Sequence, residues 1–156
     1  MRRCTSLSVE QALTRLRYLC NRGEYSSGEI KKKLVGWGVN ISDSNRVLNI
    51  LQRERLVDDV RFAEVFVHTK VVNSRWGRVK IKLHLLKKGI SSAIIAAALN
   101  SIDEDEYENA IRVVINRKHR ELGEAGDTYN GRTKIYRYAA SRGFEPSIVA
   151  RLLREK

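Results

Sequence analysis

The chain has 156 residues, enough for one domain that buries roughly 70% of its unfolded surface or for several small units that share a core. It is 42% hydrophobic but has no apolar run near the roughly 18 residues needed to cross a bilayer, and its start lacks the apolar segment of a signal peptide, so we expect a soluble cytoplasmic protein without membrane contact. Thirty Lys and Arg against 18 Asp and Glu leave a net charge of +12, which favours polyanionic partners.

Apolar residues recur at helical spacing along the whole chain and predict about nine helices. Ser8 and Gln11 have the spacing of a capping box before the first helix, and Ser101 and Glu104 have the same spacing before the seventh. Pro146 suits the first turn of the ninth. In chain order the stretches are 12–19, 30–34, 47–51, 62–67, 79–86, 94–99, 110–115, 135–139 and 148–153.

Three segments of the chain repeat one pattern: YSSGEIKKKLVGWGV (25–39), RWGRVKIKLHLLKKGI (75–90) and YNGRTKIYRYAASRGF (129–144). Each ends in glycine followed by an apolar residue, with isoleucine eight positions and leucine or alanine four positions before the glycine. These spacings predict a helix that stops at a left-handed glycine. The matching positions are Ile30, Ile81 and Ile135; Leu34, Leu85 and Ala139; Gly38, Gly89 and Gly143.

The repeat predicts an all-α fold of three tandem three-helix units, stacked into an elongated body that is straight or curved. The predicted units are residues 1–58, 59–102 and 103–156. A single-domain helical bundle is the alternative.

The middle of the chain holds most of the positive charge. Residues 60–102 contain eight basic residues and one acidic residue, and no acidic residue lies between Val65 and Ile102. A solvated helix face usually mixes both signs, so this segment is predicted to meet a polyanion or an acidic protein. A merely solvated surface is the alternative.

The stretch RVKIKLHLLKKG (78–89) alternates like a strand, but the repeat makes it a helix. As a helix it has a broad apolar arc that is expected to contact two neighbours. Its basic side chains fall on the opposite arc. The apolar arc consists of Val79, Ile81, Leu83, Leu85 and Leu86, and the basic arc of Lys80, His84, Lys87 and Lys88.

Histidine, cysteine and aspartate side chains can bind metals or catalyse reactions, but their positions in this sequence favour structural roles. The three histidines are too scattered for a metal site, and Cys4 and Cys20 form no CxxC pair, so neither a metal nor a disulfide framework is expected. Cys20 is interpreted as a buried helix residue and not as a nucleophile. Asp58 and Asp59 stand where they can cap a helix, which is favoured over acid–base or Mg²⁺ chemistry.

The two tryptophans differ in what the sequence implies. Trp37 lies on the side of Ile30 and Leu34 and is predicted to be core. Trp76 has two interpretations: it packs at the start of its helix, or it stacks on a base or a partner side chain.

Four blocks in order resemble the RecX family, bacterial proteins that regulate the RecA recombinase. The resemblance runs from about Ala12 to Leu153. The matching residues are Arg22, Ser26, Glu29, Ile30, Lys33 and Leu34; Asp58, Asp59, Phe62, Ala63 and Phe66; Arg75, Gly77, Lys80, Ile81, Leu85, Lys88, Gly89 and Ile90; Lys134, Arg142, Gly143 and Phe144. Arg78 and His84 depart from the family, which often has proline and an acidic residue there, and both changes make the helix more basic.

The resemblance implies a protein that binds along RecA filaments on single-stranded DNA, restrains their ATP hydrolysis, growth and strand exchange, and needs no cofactor or activity of its own. We expect a monomer. The alternative is a stand-alone DNA- or RNA-binding protein, because a three-helix unit with a basic helix also resembles helix-turn-helix modules. The predicted RecA- or DNA-binding residues are Arg75, Trp76, Arg78, Lys80, His84, Lys87, Lys88, Lys33, Lys134 and Arg142.

Overall fold

A computed structural model describes residues 5–156, so Cys4 lies outside the described part of the chain. Residues 5–156 form nine α-helices and one short 3-10 turn, with no strand, which confirms the all-α prediction. The helices are α1 Val9–Cys20, α2 Ser27–Gly36, α3 Ile41–Arg53, α4 Asp59–Val72, α5 Arg78–Lys87, α6 Ser92–Asn100, α7 Glu104–Leu122, α8 Tyr129–Ser141 and α9 Pro146–Arg154, and the 3-10 turn is Gly123–Asp127.

The repeated segments form α2, α5 and α8, and each helix stops as predicted. Gly38, Gly89 and Gly143 have φ values of 75°, 76° and 89°, in the left-handed region that glycine tolerates. In each case the residue after the glycine donates its backbone N–H to the residue five positions earlier, as from Ile90 to the Leu85 carbonyl at 3.2 Å. The predicted isoleucines and their partners four positions on are all buried.

The chain divides into two compact units. The first comprises the chain up to Ala63 together with Leu85–Ile94, and the second comprises Glu64–His84 together with Ile95–Lys156. Helices α4, α5 and α6 therefore contribute to both. The division into three units at residues 58 and 102 stays a prediction.

Each unit has its own buried apolar residues. In the first unit they come largely from α1, α2 and α3, with Leu16, Ile30, Leu34 and Leu51 fully buried. Trp37, predicted to be core, and Cys20, predicted to be buried, both pack against this core but are only half-buried. In the second unit the largest fully buried side chains are Ile81, Ile95, Tyr107, Ile111, Ile115, Ile135 and Phe144.

The broad apolar arc predicted for α5 is wrong. Ile81 and Leu85 are 0% exposed, whereas Val79, Leu83 and Leu86 are 50%, 55% and 46% exposed. The helix buries one narrow stripe, because only residues four apart on its inner side are covered by the surrounding chain.

The helix N-termini confirm some predicted caps and correct one. Ser8 and Gln11 form the capping box of α1, Pro146 begins α9, and the Asp58 carboxylate accepts the Arg61 N–H at 3.1 Å at the start of α4. The Ser101–Glu104 box is wrong: Asp103 caps α7 by accepting the Glu106 N–H at 2.9 Å. The Ser101 hydroxyl instead donates to a carbonyl at the end of α6.

Candidate functional site

In the first unit, the N-terminus of α2 rests on the C-terminal turn of α5. Ser26 forms a capping box with Glu29 and donates its hydroxyl to the Lys88 carbonyl at 2.6 Å. At the same contact, the Lys88 ammonium forms an ion pair with the Glu29 carboxylate at 2.6 Å. Lys88, predicted to bind a partner, is therefore held in an ion pair inside the unit.

Asp59 completes this contact from the first turn of α4. Its carboxylate accepts the Ser27 backbone N–H at 2.8 Å and the Ser27 hydroxyl at 2.5 Å. Asp58 caps its own helix, while Asp59 reaches the start of α2, so the two adjacent carboxylates have separate structural roles. Hydrogen bonds to a carboxylate are stronger than neutral ones, which suits a contact that ties two helix N-termini together.

The close approach in the first unit requires glycine. A Cβ added to Gly28 would lie 2.7 Å from the Gly89 Cα and 2.9 Å from the Lys88 carbonyl carbon. The same kind of contact occurs in the second unit, where the Gly77 N–H donates to the Arg142 carbonyl at 2.8 Å and a Cβ on Gly77 would clash with the Gly143 backbone. Gly28 and Gly77 thus let two backbones meet without a side chain between them.

Arg78 is compensated inside the second unit. Its guanidinium donates to Glu104 at 2.7 Å and to Glu145 at 3.2 Å, and it lies 4.0 Å from the centre of the Tyr107 ring. Its backbone N–H donates to the Tyr107 hydroxyl at 3.0 Å, and that hydroxyl donates to Glu145. Burial, together with the hydrogen bond to Glu145, raises the pKa of Tyr107 above its ordinary value. The sequence placed Arg78 in the partner surface, but its charge has two internal carboxylate partners.

Trp76, in the second unit, is in contact with several cationic and aromatic side chains. The Lys70 and Lys80 ammonium groups lie 4.6 Å and 4.4 Å from the centre of its ring, and the His84 ring centre lies 4.5 Å away. Phe66 contacts Trp76 edge-on. These four side chains around Trp76 are called the Trp76 cluster below. The indole ring attracts the ammonium groups through its π-electron quadrupole, which holds two like charges close together.

The positive charge of the Trp76 cluster comes from two lysines. Lys70 and Lys80 form no salt bridge with a carboxylate among residues 5–156. The pKa of Lys80 lies below its ordinary value, mainly because of burial and also because of the positive charges of Arg142 and Lys70. Such a cluster favours an anion, because the anion relieves repulsion that the fold leaves in place.

Arg142 shapes the loop that leads into Trp76. Its guanidinium donates to the Arg75 carbonyl at 3.3 Å and to the Ser74 carbonyl. The backbone N–H of Trp76 donates to the Lys70 carbonyl at 2.9 Å. Arg75 is held in the left-handed region at φ 53°, where a side chain is uncommon. Arg142, predicted to bind a partner, thus positions the backbone of Arg75.

A cavity of about 450 Å³ opens beside this loop. We call it the arginine cleft, after the side chains that line it. Its volume lies in the range of about 300–1,000 Å³ that is typical of ligand pockets. Its lining includes Ser74, Arg75, Trp76, Arg117, Tyr138 and Arg142, and none of the residues in 5–156 that line it is acidic. The sequence missed Arg117 and Tyr138, which lie far along the chain from Trp76; no local pattern marks them.

The remaining predicted site residues are dispersed. Lys33 is half-buried over the Tyr25 ring at 5.3 Å in the first unit, and Lys87 in that unit and Lys134 in the second are exposed. Within residues 5–156 no group of three or more His, Cys, Asp and Glu side chains is placed to hold a metal ion. Among the helices of these residues, none has both the length and the apolar character needed to span a bilayer.

Comparisons with known proteins agree with one another. A family model for the second three-helix domain of RecX matches residues 58–99, and one for the third three-helix domain matches residues 104–153. The regulatory protein RecX of Stenotrophomonas maltophilia is 33% identical over 134 residues, which are 85% of this chain and 79% of that protein. That of Clostridium tetani is 31% identical over 74% of this chain and 53% of its own length.

Length differs among these relatives. The chain spans 53% to 60% of the length of the RecX proteins from C. tetani, C. acetobutylicum and C. perfringens. The fold matches solved structures as well. The crystal structure of RecX from Lactobacillus salivarius gives a TM-score of 0.85 at 22% identity, covering 94% of this chain and 95% of that one. Another RecX crystal structure gives 0.83 at 20% identity, covering 95% and 72%.

Proposed function

Because this chain belongs to the RecX family of regulatory proteins, we propose that it modulates the RecA recombinase, mainly as an inhibitor. In this proposal the chain binds along the filament that RecA forms on single-stranded DNA. There it restrains ATP hydrolysis, filament growth and strand exchange. It acts as a cytoplasmic monomer, catalyses no reaction itself and needs no cofactor.

The Trp76 cluster is the observation that supports a partner surface in the second unit. Two ammonium groups meet on one ring and form no salt bridge with a carboxylate of residues 5–156, and the segment from Val65 to Ile102 contains no acidic residue. A filament presents phosphates and acidic protein side chains, both of which complement this charge. Arg78 and Lys88 are satisfied by internal carboxylates, so we assign them to the fold and keep Lys70 and Lys80 for the partner.

The test is a titration of the purified chain into RecA that is hydrolysing ATP on single-stranded DNA. We expect the rate of ATP hydrolysis to fall as the chain is added. If the chain blocks growth at filament ends, half-maximal inhibition is reached well below one chain per RecA subunit. Hydrolysis that stays constant up to a molar excess of the chain rules the proposal out.

A stand-alone nucleic-acid-binding protein is the second candidate, and the aromatic and cationic composition of the Trp76 cluster favours keeping it. It is separated from the first by a duplex-binding assay without RecA. Tight, sequence-selective binding to duplex DNA, together with unchanged RecA activity, would establish the second candidate in place of the first.

A further inference from the structure

We propose that the arginine cleft binds one nucleotide of an unpaired nucleic-acid strand directly, without a protein intermediary. The inference deepens the proposed function, because it names a direct partner for the same region of the chain. The base would stack on Tyr138, and the phosphate would meet the Arg75 and Arg117 guanidinium groups, all of which line the cleft beside Trp76.

The cleft combines the two elements that unpaired strands need. Aromatic side chains provide surfaces for bases, and basic side chains track the backbone. Both rings carry cations nearby: Lys80 lies 4.4 Å from the centre of the Trp76 ring, and Lys118 lies 5.0 Å from that of Tyr138. The phosphate of a nucleotide whose base stacks beside such a ring would therefore lie near a lysine ammonium that attracts it.

The positive charge in the cleft is largely uncompensated. Arg75 forms no salt bridge with any carboxylate of residues 5–156, and Arg117 reaches Glu121 only at 3.8 Å between exposed side chains. Guanidinium groups suit phosphate because their planar donors match two oxygens at once. An acidic peptide would use the same charge, but it would leave the aromatic wall of the cleft without a base to cover it.

The backbone at Arg75 has an uncommon conformation. Its φ of 53° is one in which glycine is unstrained and a side chain is not. Gly38, Gly89 and Gly143 take the equivalent conformation after α2, α5 and α8. Arg55 shares this conformation outside the cleft, so the backbone alone does not assign a role to Arg75; its place in the lining of the cleft does.

The left-handed backbone also supplies the test. Arg75→Gly removes the guanidinium while relieving strain, so the variant should melt at or above the wild-type temperature. Arg55 has the same conformation, at φ 58°, in the first unit and outside the cleft. Arg55→Gly therefore removes the same charge from the same kind of backbone and serves as the matched control. Arg117→Gln is a second cleft variant that leaves the loop around Arg75 untouched.

The assay is fluorescence anisotropy of a labelled oligothymidylate of about 15 nucleotides, titrated with the full chain at about 50 mM salt, without RecA. Arg75→Gly should weaken binding about tenfold, as expected for one charged hydrogen-bonding group. Arg117→Gln should weaken it by about threefold or more, and Arg55→Gly by less than about twofold.

Three results would overturn the inference. They are absence of binding by the wild type, equal losses in Arg75→Gly and Arg55→Gly, and equally tight binding of polyglutamate of the same length. The measurements contain no RecA. A negative result here therefore leaves the RecA titration to decide the proposed function, and a negative RecA titration leaves the cleft assignment standing.

Discussion

Replacing Gly28 with alanine tests the contact between the start of α2 and the end of α5. The added Cβ would lie 2.7 Å from the Gly89 Cα and 2.9 Å from the Lys88 carbonyl carbon, whereas ordinary contact begins at 3.4 Å. Both neighbours are backbone atoms that cannot rotate away. The two segments must therefore separate by at least about half an ångström, and this strains the 2.6 Å hydrogen bond from the buried Ser26 hydroxyl to the Lys88 carbonyl.

The expected cost follows from three contributions. Overpacking of a closely packed site costs about 1–3 kcal/mol. Weakening the Ser26 hydrogen bond costs about 1 kcal/mol more. Alanine in a helix returns about 1 kcal/mol relative to glycine. The net loss is about 2 kcal/mol of the free energy of unfolding, which corresponds to a fall of roughly 4–8 °C in the melting temperature of a chain of this length.

The assay is thermal unfolding followed by circular dichroism, with Gly36→Ala as the control. Gly36 ends the same helix, and an added Cβ there meets no atom of residues 5–156 within 4 Å. Gly36→Ala should leave the melting temperature unchanged or raise it, since only the gain in helix propensity applies. If Gly28→Ala melts as high as Gly36→Ala, the close approach of the two helices has been assigned incorrectly.

Three further changes test other parts of the account. Tyr107→Phe should make the free energy of unfolding less dependent on pH in the alkaline range. The pKa of Tyr107 in the folded chain is raised by burial and by its hydrogen bond to Glu145. Its contribution to stability is therefore full below the unfolded pKa of about 10 and falls as the pH rises above it. Urea unfolding at rising pH measures this, and an identical slope in both proteins would contradict it. Lys88→Met should cost up to about 1 kcal/mol through its partly exposed ion pair, whereas Lys87→Met should stay within about 0.5 kcal/mol; equal urea midpoints would refute the difference. Asp58→Ala should cost about 1 kcal/mol as a lost helix cap, measured as a lower urea midpoint, and an unchanged midpoint would argue against capping.

The helices could be predicted because their signals are local. The isoleucine, the residue four positions later and the left-handed glycine all lie within one helix, so spacing alone finds them. The same spacing overestimated the buried face of α5, because periodicity shows which side chains share a side and not how much of that side other helices cover. Val79, Leu83 and Leu86 lie at core spacing and are half-exposed.

The site could be predicted only in part, because its contacts join distant positions. The sequence named the basic segment and Trp76 as candidates for a partner surface, and that assignment stays a prediction. It did not pair Lys88 with Glu29, 59 positions away, or Arg78 with Glu145, 67 positions away. Charge counting treats each cation as available to a partner, whereas the fold neutralises some of them. Asp59 shows the same limit: its place at a helix start predicts a cap, and its carboxylate serves another helix.

The most direct measurement compares charge-matched variants on RecA's ATP hydrolysis with single-stranded DNA. Lys70→Gln/Lys80→Gln removes two charges from the Trp76 cluster and keeps the Cβ of Lys80, which packs beside Gly143. Lys31→Gln/Lys32→Gln removes two exposed charges from α2. We expect wild type and the α2 variant to suppress hydrolysis alike, and the cluster variant to need about tenfold more protein for the same suppression. No suppression by the wild type, or equal suppression by all three, would contradict it.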